Sequence, residues 1–342
     1  MAAYTSLDRL RDALTGRPKD RVPVLAGTSL WAAFNFPGAS FQEIASDGEL
    51  IAKAQLWARE AIGYDALYPA ADPLTMAEAF GCRVRFLETG PLVDPLSVAI
   101  ESVEDVERLP FPDPAKDGRL PVLLDAARLM KEKSGGDIPI FGLFEGAFTN
   151  TCRIIEAEQV LRMIYKKPKV LDALLDRVNE FLIRLGEALV ERGVNVFYVP
   201  EPTASSTMIS PAMFSRLVLP RLQRLTGRLK APVLLHICGD TRPILPAMAK
   251  TGAAALSLDQ CIDLSEARTL APGLTLAGNV DPVKSLLMGG PEAVREDSFR
   301  SLRSAGTDRF ILMPGCAVPP KTPIQNLKAM VEAAAEFGVK GR

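Results

Sequence analysis

The sequence predicts an α/β fold in which eight parallel strands and their intervening helices form a (β/α)8 barrel, as a single domain over residues 1–342. Short apolar runs rich in β-branched residues alternate with longer amphipathic segments, which is the pattern of parallel strands covered by helices. The number of these runs and the length of 342 residues both suit such a barrel.

The candidate elements follow one another along the whole chain. The strands are Val22–Ala26, Ala66–Tyr68, Ile138–Leu143, Val194–Val199, Val233–Ile237, Ala255–Leu258, Leu274–Ala277 and Phe310–Met313. Proline favours the first helical turn, and it opens four clear helices. These helices are Pro168–Arg192, Ser210–Leu229, Pro291–Ser304 and Pro323–Phe337. The residues before the first strand form an N-terminal extension, and residues 81–117, rich in proline and acidic residues, predict an irregular or antiparallel insertion.

The overall composition excludes some classes of partner. Basic and acidic residues balance at 40 and 41, so no bulk positive charge favours a nucleic acid. No apolar stretch has the length of a signal peptide or a bilayer span, so we expect no membrane association and a cytoplasmic location.

The cysteines and the single histidine are more informative than the composition. Five cysteines, an odd number scattered along a chain without an export signal, favour thiols or metal ligands over disulfides. Only one histidine is present, so any imidazole chemistry depends on that residue.

That histidine lies in the run APVLLHICGD, directly after an apolar strand. Strand alternation predicts that His236, Cys238 and Asp240 point to one side. The last predicted strand, RFILMP, ends just before Cys316, and a barrel places its active site at this end of its strands. The sequence therefore brings one imidazole and two thiols to the same rim.

Such a set suits zinc, which binds imidazole and thiolate and in catalytic sites keeps a fourth position exchangeable. Zinc lowers the pKa of a bound thiol, and the resulting thiolate can still attack a methyl group. An H-x-C run beside a strand is also typical of a buried histidine packed against a buried thiol. The position of Cys316 and the uniqueness of His236 favour the metal site.

Several runs match a known family in order and nearly throughout the chain. They are DRVPV, EAFGC, EPTASS, ISPAMF, HICGD, GNVDP and PGCAVPPKTPIQNLKAM. Through them the chain resembles the uroporphyrinogen decarboxylase superfamily, and within it the methylcobalamin:coenzyme M methyltransferase branch. The resemblance implies a barrel of that family's type and zinc held by His236, Cys238 and Cys316.

The resemblance also implies the reaction and its partners. A zinc-activated small thiol, such as coenzyme M, takes a methyl group from methyl-Co(III) of a corrinoid and leaves Co(I). The corrinoid belongs to a partner protein, because a D-x-H-x-x-G cobalamin site needs a histidine and the only one lies in HICGD.

Further polar residues enter through the same resemblance. Glu201 lies where the family usually has aspartate. Three roles are open for its carboxylate: a fourth zinc ligand, a hydrogen-bond partner of His236, or the cap of a helix. Asp72 matches the essential aspartate of the decarboxylase branch and can equally shape the cavity. With Glu201 and Asp72, Asn279 completes the candidate catalytic residues, since it follows a strand. Asp240 and Asp281 are the candidate cofactor-binding residues, although Asn and Asp are also common in loops.

Three alternatives remain open from the sequence. A decarboxylase would need arginines for a carboxylate-rich porphyrinogen, yet LAGTSLWAAFNFPG after Val24 carries no charge. A corrinoid methyltransferase working in reverse would pass a methyl group from a small methyl ether, amine or halide to Co(I), with zinc as a Lewis acid. A zinc-stabilised scaffold or corrinoid-binding accessory would normally need four protein ligands.

Overall fold

A curled, parallel, six-stranded sheet forms the centre of the fold, which is mixed α/β. The structure, a computed structural model, describes residues 4–88 and 90–340. The six strands are hydrogen-bonded in chain order, so each is parallel to the next and the sheet resembles half of a barrel. They are β3 Phe141–Leu143, β4 Val196–Pro200, β5 Val233–Ile237, β6 Ala255–Leu258, β7 Thr275–Val280 and β8 Phe310–Pro314.

The two edges of this sheet are extended by single β-bridges. Val24 bridges Leu312 of β8, and Leu67 bridges Ile140 just before β3, both in parallel orientation. The Asp65 N–H also donates to the Val24 carbonyl at 2.9 Å. The predicted strands Val22–Ala26 and Ala66–Tyr68 are therefore present only as these isolated bridges.

The sheet strands agree with the sequence prediction where the apolar run is uninterrupted. Both β5 and β6 have the predicted bounds, and every residue in them is buried, as expected for parallel strands with both faces covered. Strand β3 is shorter than the predicted Ile138–Leu143. Pro139 has no N–H, and the N–H of Ile140 donates to the Asn195 side chain, so the ladder begins at Phe141.

Helices follow the strands and pack around the sheet. They are α1 Ser6–Thr15, α2 Ser29–Asn35, α3 Phe41–Ala45, α4 Gly48–Ile62, α5 Thr75–Ala79, α6 Val103–Arg108, α7 Leu120–Ser134, α8 Ala147–Ile154, α9 Ala157–Lys166, α10 Pro168–Glu191, α11 Pro211–Met213, α12 Leu219–Arg228, α13 Leu245–Met248, α14 Leu264–Leu270, α15 Pro291–Ala305 and α16 Ile324–Lys340. Within the described ranges, no helix is both long and apolar enough to cross a membrane.

The helices predicted from proline positions are found within a few residues of their predicted ends. Helix α10 ends one residue before the predicted Arg192, and α15 one residue beyond the predicted Ser304. The segment predicted as Ser210–Leu229 is α11 and α12 joined by a π-helical turn. Ser210 caps it, since its hydroxyl accepts the Met213 N–H at 3.2 Å.

The insertion predicted at residues 81–117 contains antiparallel structure. Strands β1 Arg83–Leu87 and β2 Gly90–Asp94 form a two-stranded hairpin separate from the central sheet. The chain after the hairpin contacts the end of α8, where the Leu96 N–H donates to the Ile154 carbonyl at 2.8 Å.

A buried ion-pair network fastens the N-terminal extension to the sheet. The Asp65 carboxylate is almost fully buried and pairs with Arg9 of α1 at 2.6 Å and with Arg21 at 2.7 Å. It also accepts the Val24 N–H at 2.9 Å. Because a buried carboxylate needs such partners, Asp65 holds α1 and both bridging segments together.

Candidate metal centre

The structure brings His236, Cys238 and Cys316 together at the carboxyl end of the sheet. The His236 Nε2 lies 3.2 Å from the Cys238 Sγ, and that sulfur lies 3.4 Å from the Cys316 Sγ. The three donor atoms are all within 4.8 Å of one another, and neither cysteine is in a disulfide. Cys238 and Cys316 are 78 positions apart in the chain, so it is the fold that brings the two thiols together.

These distances suit a tetrahedral zinc ion. Zinc–sulfur bonds of about 2.3 Å and zinc–nitrogen bonds of about 2.0 Å place two sulfurs about 3.8 Å apart and a nitrogen and a sulfur about 3.5 Å apart. The observed separations are only slightly smaller. One imidazole and two thiols are also donors that zinc prefers, and they leave a fourth position for an exchangeable ligand.

The two thiols share one proton unequally. The contact with Cys238, followed by that with His236, lowers the pKa of Cys316 to about 4. The same contact with Cys316, followed by burial, raises the pKa of Cys238. The pair thus holds one thiolate readily, and a cation beside it would favour the second.

A tight turn positions Cys238 after β5. Strand β5 ends at Ile237, and Gly239 adopts a positive φ of 75°, which a residue with a side chain rarely tolerates. The Gly239 N–H donates to the Asp259 Oδ2 at 2.8 Å, and the other oxygen of Asp259 accepts the Cys261 N–H at 3.0 Å. The buried Asp259 therefore secures the turn, a role that sequence analysis missed.

Close packing positions Cys316 after β8. The Gly315 N–H donates to the Val280 carbonyl at 2.8 Å, which continues the pairing between β7 and β8. A side-chain carbon at Gly315 would collide with the backbone nitrogen of Gln260, so the backbone can approach this closely only with glycine.

The ring of His236 is held by neighbours that sequence analysis also missed. Its Nδ1 lies 3.1 Å from the Ser257 hydroxyl and 3.2 Å from the Ser257 carbonyl oxygen. The Tyr198 ring stacks on it, with centroids 5.9 Å apart and planes 25° apart. Burial raises the pKa of Tyr198, so its phenol stays neutral beside the thiols.

Glu201 lies close to this group but does not join it. Its carboxylate accepts the N–H groups of Phe148 at 3.1 Å and Thr149 at 2.9 Å, at the N-terminus of α8. Its backbone N–H donates to the His236 carbonyl at 2.8 Å. Of the uses considered from the sequence, the geometry corresponds to a helix cap. Burial raises the pKa of Glu201 to about 7, although the Thr149 contacts oppose the shift.

Asp72 is also buried and committed to protein contacts. It pairs with Arg119 at 2.6 Å, and its other oxygen accepts the Leu74 N–H at 2.8 Å. Arg119 pairs in addition with Glu78 at 2.6 Å. A second buried pair, Glu145 with Arg153, lies nearby. Arg119 and Arg153 therefore each form an ion pair with at least one carboxylate.

Asp240 departs from the alternation expected from the sequence. Because β5 ends at Ile237 and Gly239 turns the chain, Asp240 does not continue the strand. Its carboxylate instead pairs with Arg242 at 2.6 Å and is partly exposed. It is not among the residues grouped as metal donors.

The two residues of GNVDP lie at the end of β7 and support neighbouring loops. Asn279 is fully buried and donates to the carbonyls of Asp259 at 3.0 Å and Ile262 at 2.7 Å. Asp281 accepts the N–H groups of Val283 and Lys284, which begins the π-helical turn after β7. Asn279 thereby contacts the same loop that secures Cys238.

Comparisons with known proteins show which family the chain matches. Residues 5–337 match the family described as uroporphyrinogen decarboxylase (URO-D). The methylcobamide:CoM methyltransferase MtbA of Methanosarcina acetivorans is 30% identical over 98% of this chain and 99% of its own. The methylated-thiol–coenzyme M methyltransferase of Methanosarcina mazei is 29% identical over 98% and 90%. A solved methyltransferase structure from Methanosarcina mazei superposes with a TM-score of 0.90 at 31% identity, covering 98% and 99%.

Proposed function

The chain belongs to the uroporphyrinogen decarboxylase family, and from this premise we propose that it is a zinc-dependent methyltransferase. It exchanges a methyl group between a corrinoid, carried by a partner protein, and a small thiol such as coenzyme M. The relatives' names support corrinoid-dependent transfer to coenzyme M. The observation that carries the zinc is the group of His236, Cys238 and Cys316, three donors with one position left open.

The proposed fold for this activity is one (β/α)8 barrel over the whole chain. Its support is the pair of bridges at Val24 and Leu67, which extend the two edges of the six-stranded sheet toward each other. The hydrogen bond from the Asp65 N–H to the Val24 carbonyl joins these two segments. A barrel closed in this way presents the metal group at the carboxyl end of its strands, where barrel enzymes have their active sites.

Zinc bound here supplies one property, the ionisation of a substrate thiol that stays nucleophilic while coordinated. The protein's own residues supply position. The turn at Gly239 and the close approach at Gly315 direct both cysteines to the same point. The neutral Tyr198 phenol covers one side of His236 and excludes water from it.

The methyl group passes from the cobalt of the corrinoid to the sulfur of the thiolate. A sulfur–carbon bond forms as the cobalt–carbon bond breaks, and the electron pair of the broken bond stays on cobalt as Co(I). Because cobalt must approach the thiolate closely, the partner protein docks over the carboxyl end of the strands. A reducing compartment such as the cytoplasm keeps Cys238 and Cys316 available as ligands.

The remaining predicted site residues are assigned supporting positions in this proposal. Glu201 caps α8, Asp72 holds Arg119, and Asn279 holds the loop of Asp259. Asp240 and Asp281 belong to the turns that follow β5 and β7. Each lies at the carboxyl end of a strand or in the segment after it.

The alternatives have less support. A decarboxylase would need arginines free to bind carboxylates, whereas Arg119 and Arg153 already pair with carboxylates of the chain. A structural zinc site would need a fourth protein ligand, and no fourth His, Cys, Asp or Glu joins the group within residues 4–88 and 90–340. The reverse transfer, from a small methyl donor to Co(I), uses the same metal group and is separated by assay.

The test is demethylation of methylcobalamin by the zinc-loaded protein in the absence of oxygen. We expect the absorbance of methylcobalamin to fall when coenzyme M is added, and not to fall with zinc-free protein or without thiol. Homocysteine and 2-mercaptoethanol serve as comparison thiols. If no thiol causes the change while a methyl ether, amine or halide methylates Co(I) cobalamin, transfer runs in the reverse direction and the thiol proposal is wrong.

A further inference from the structure

The orientation of the His236 ring is determined by a neighbour on the adjacent strand. In the parallel pairing of β5 and β6, His236 and Ser257 are register partners, so their side chains lie side by side on one face. Ser257 is fully buried, and His236 nearly so. Both oxygens of Ser257, carbonyl and hydroxyl, lie within 3.2 Å of the His236 Nδ1.

The carbonyl oxygen decides which ring nitrogen carries the proton. A carbonyl can only accept a hydrogen bond, so a contact of 3.2 Å with Nδ1 favours the tautomer that carries its proton on Nδ1. Nε2 then has a free lone pair, and it is Nε2 that lies 3.2 Å from the Cys238 Sγ. The ring therefore presents a ligand atom to the metal group before any metal binds.

The face of the ring is constrained as well as its edge. Tyr198, from β4 on the other side of β5, stacks on His236 at 25° between the planes. The His236 ring therefore stacks on Tyr198 with one face and contacts the two Ser257 oxygens through its edge. A rotation of the ring would lose the stacking and the Ser257 contacts.

We infer that Ser257 is a positioning residue, which fixes the tautomer and plane of His236 so that Nε2 is directed at zinc. This inference rests on the proposed function, because it assumes that zinc binds at His236, Cys238 and Cys316. Partners of this kind orient a metal-binding histidine and strengthen its bond to the metal. In this chain the partner is a neutral hydroxyl and carbonyl, and the nearby carboxylate of Glu201 is directed at α8.

The test compares zinc affinity among variants by competition with a chromogenic chelator. Ser257→Ala removes the hydroxyl and keeps the carbonyl, so we expect an affinity about 10-fold weaker, at the low end of such effects. Ser257→Thr keeps the hydroxyl and should restore the affinity toward that of the wild type. The matched control is Ser298→Ala in α15, a fully buried serine whose hydroxyl has no hydrogen-bond partner among the described residues. It should leave the affinity unchanged.

Cobalt(II) substitution gives a second readout that a general loss of stability would not produce. We expect the ligand-field absorption bands of the cobalt protein to shift in Ser257→Ala, and to return in Ser257→Thr. If Ser257→Ala binds zinc as tightly as the wild type, or if Ser257→Thr fails to restore affinity and spectrum, the inference is wrong while the proposed function stands. A wild-type protein that binds no zinc would instead overturn the proposed function and this inference together.

Discussion

Removing any one of the three donor side chains is expected to abolish zinc binding and methyl transfer. His236→Ala, Cys238→Ala and Cys316→Ala each leave two protein ligands on a site that already has an open position. Removing a residue that hydrogen-bonds to a metal ligand typically lowers metal affinity or activity by about 10- to 100-fold. Removing a ligand itself should therefore lower zinc affinity and activity by at least about 100-fold. Metal analysis after dialysis and the methylcobalamin assay measure the two effects.

The matched control for these variants is Cys261→Ser. Cys261 is an exposed free cysteine and is not part of the metal group, so its substitution should leave zinc content and activity at wild-type values. Circular dichroism of the three alanine variants checks that each remains folded. A Cys316→Ala protein that retains one tightly bound zinc would contradict the assigned ligand set.

The second large effect concerns the buried Glu201 and the pH dependence of stability. Burial raises its pKa in the folded protein to about 7, above the value of 4.5 expected when the chain is unfolded. Between these values the folded state keeps a proton that the unfolded state has lost, so stability falls as pH rises. A shift of this size corresponds to about 3 kcal/mol, which is fully present below pH 4.5 and lost above pH 7.

Glu201→Gln removes this titration and keeps one oxygen, which can accept one of the two N–H groups of α8. Denaturant unfolding with excess zinc at pH 5 and pH 8 should therefore show a greater loss of stability in the wild type than in the variant, by about 2.5 kcal/mol. Glu60→Gln, an exposed position in α4, should follow the wild type. Parallel pH profiles for the wild type and Glu201→Gln would show that the buried carboxyl does not carry this cost.

The sequence was sufficient for elements determined by local pattern. The uninterrupted apolar runs of β5 and β6 predicted both strands to the residue, because every position in them is buried. The first two predicted strands were less successful. In each of these two apolar runs only one residue forms a β-bridge, Val24 with Leu312 and Leu67 with Ile140. The partners are distant in sequence, so a local pattern does not show how much of each run pairs with them.

The metal group could be predicted and its supporting contacts could not. Each of its donors lies near the carboxyl end of a predicted strand or within three residues after it, and all barrel strands end on the same side. Ser257 supports His236 only because two strands pair in a particular register, which no local pattern reveals. Strand alternation was expected to direct Asp240 to the side of His236 and Cys238, but the strand ends at Ile237 and the backbone turns at Gly239.

The direction of the Glu201 side chain likewise could not be predicted from the sequence. The Glu201 carboxylate could serve a metal, a histidine or a helix, and all three are close to the end of β4. Its choice of α8 depends on where the N-terminus of that helix lies, which is set by the packing of the whole domain.

Zinc K-edge X-ray absorption tests whether zinc at this site binds the sulfur of the substrate thiol. For the wild-type protein without substrate, we expect zinc bonded to two sulfur atoms and at least one imidazole nitrogen. After addition of coenzyme M, the sulfur count should rise from two to three. A sulfur count that stays at two when the thiol is added would show that the thiol does not bind zinc.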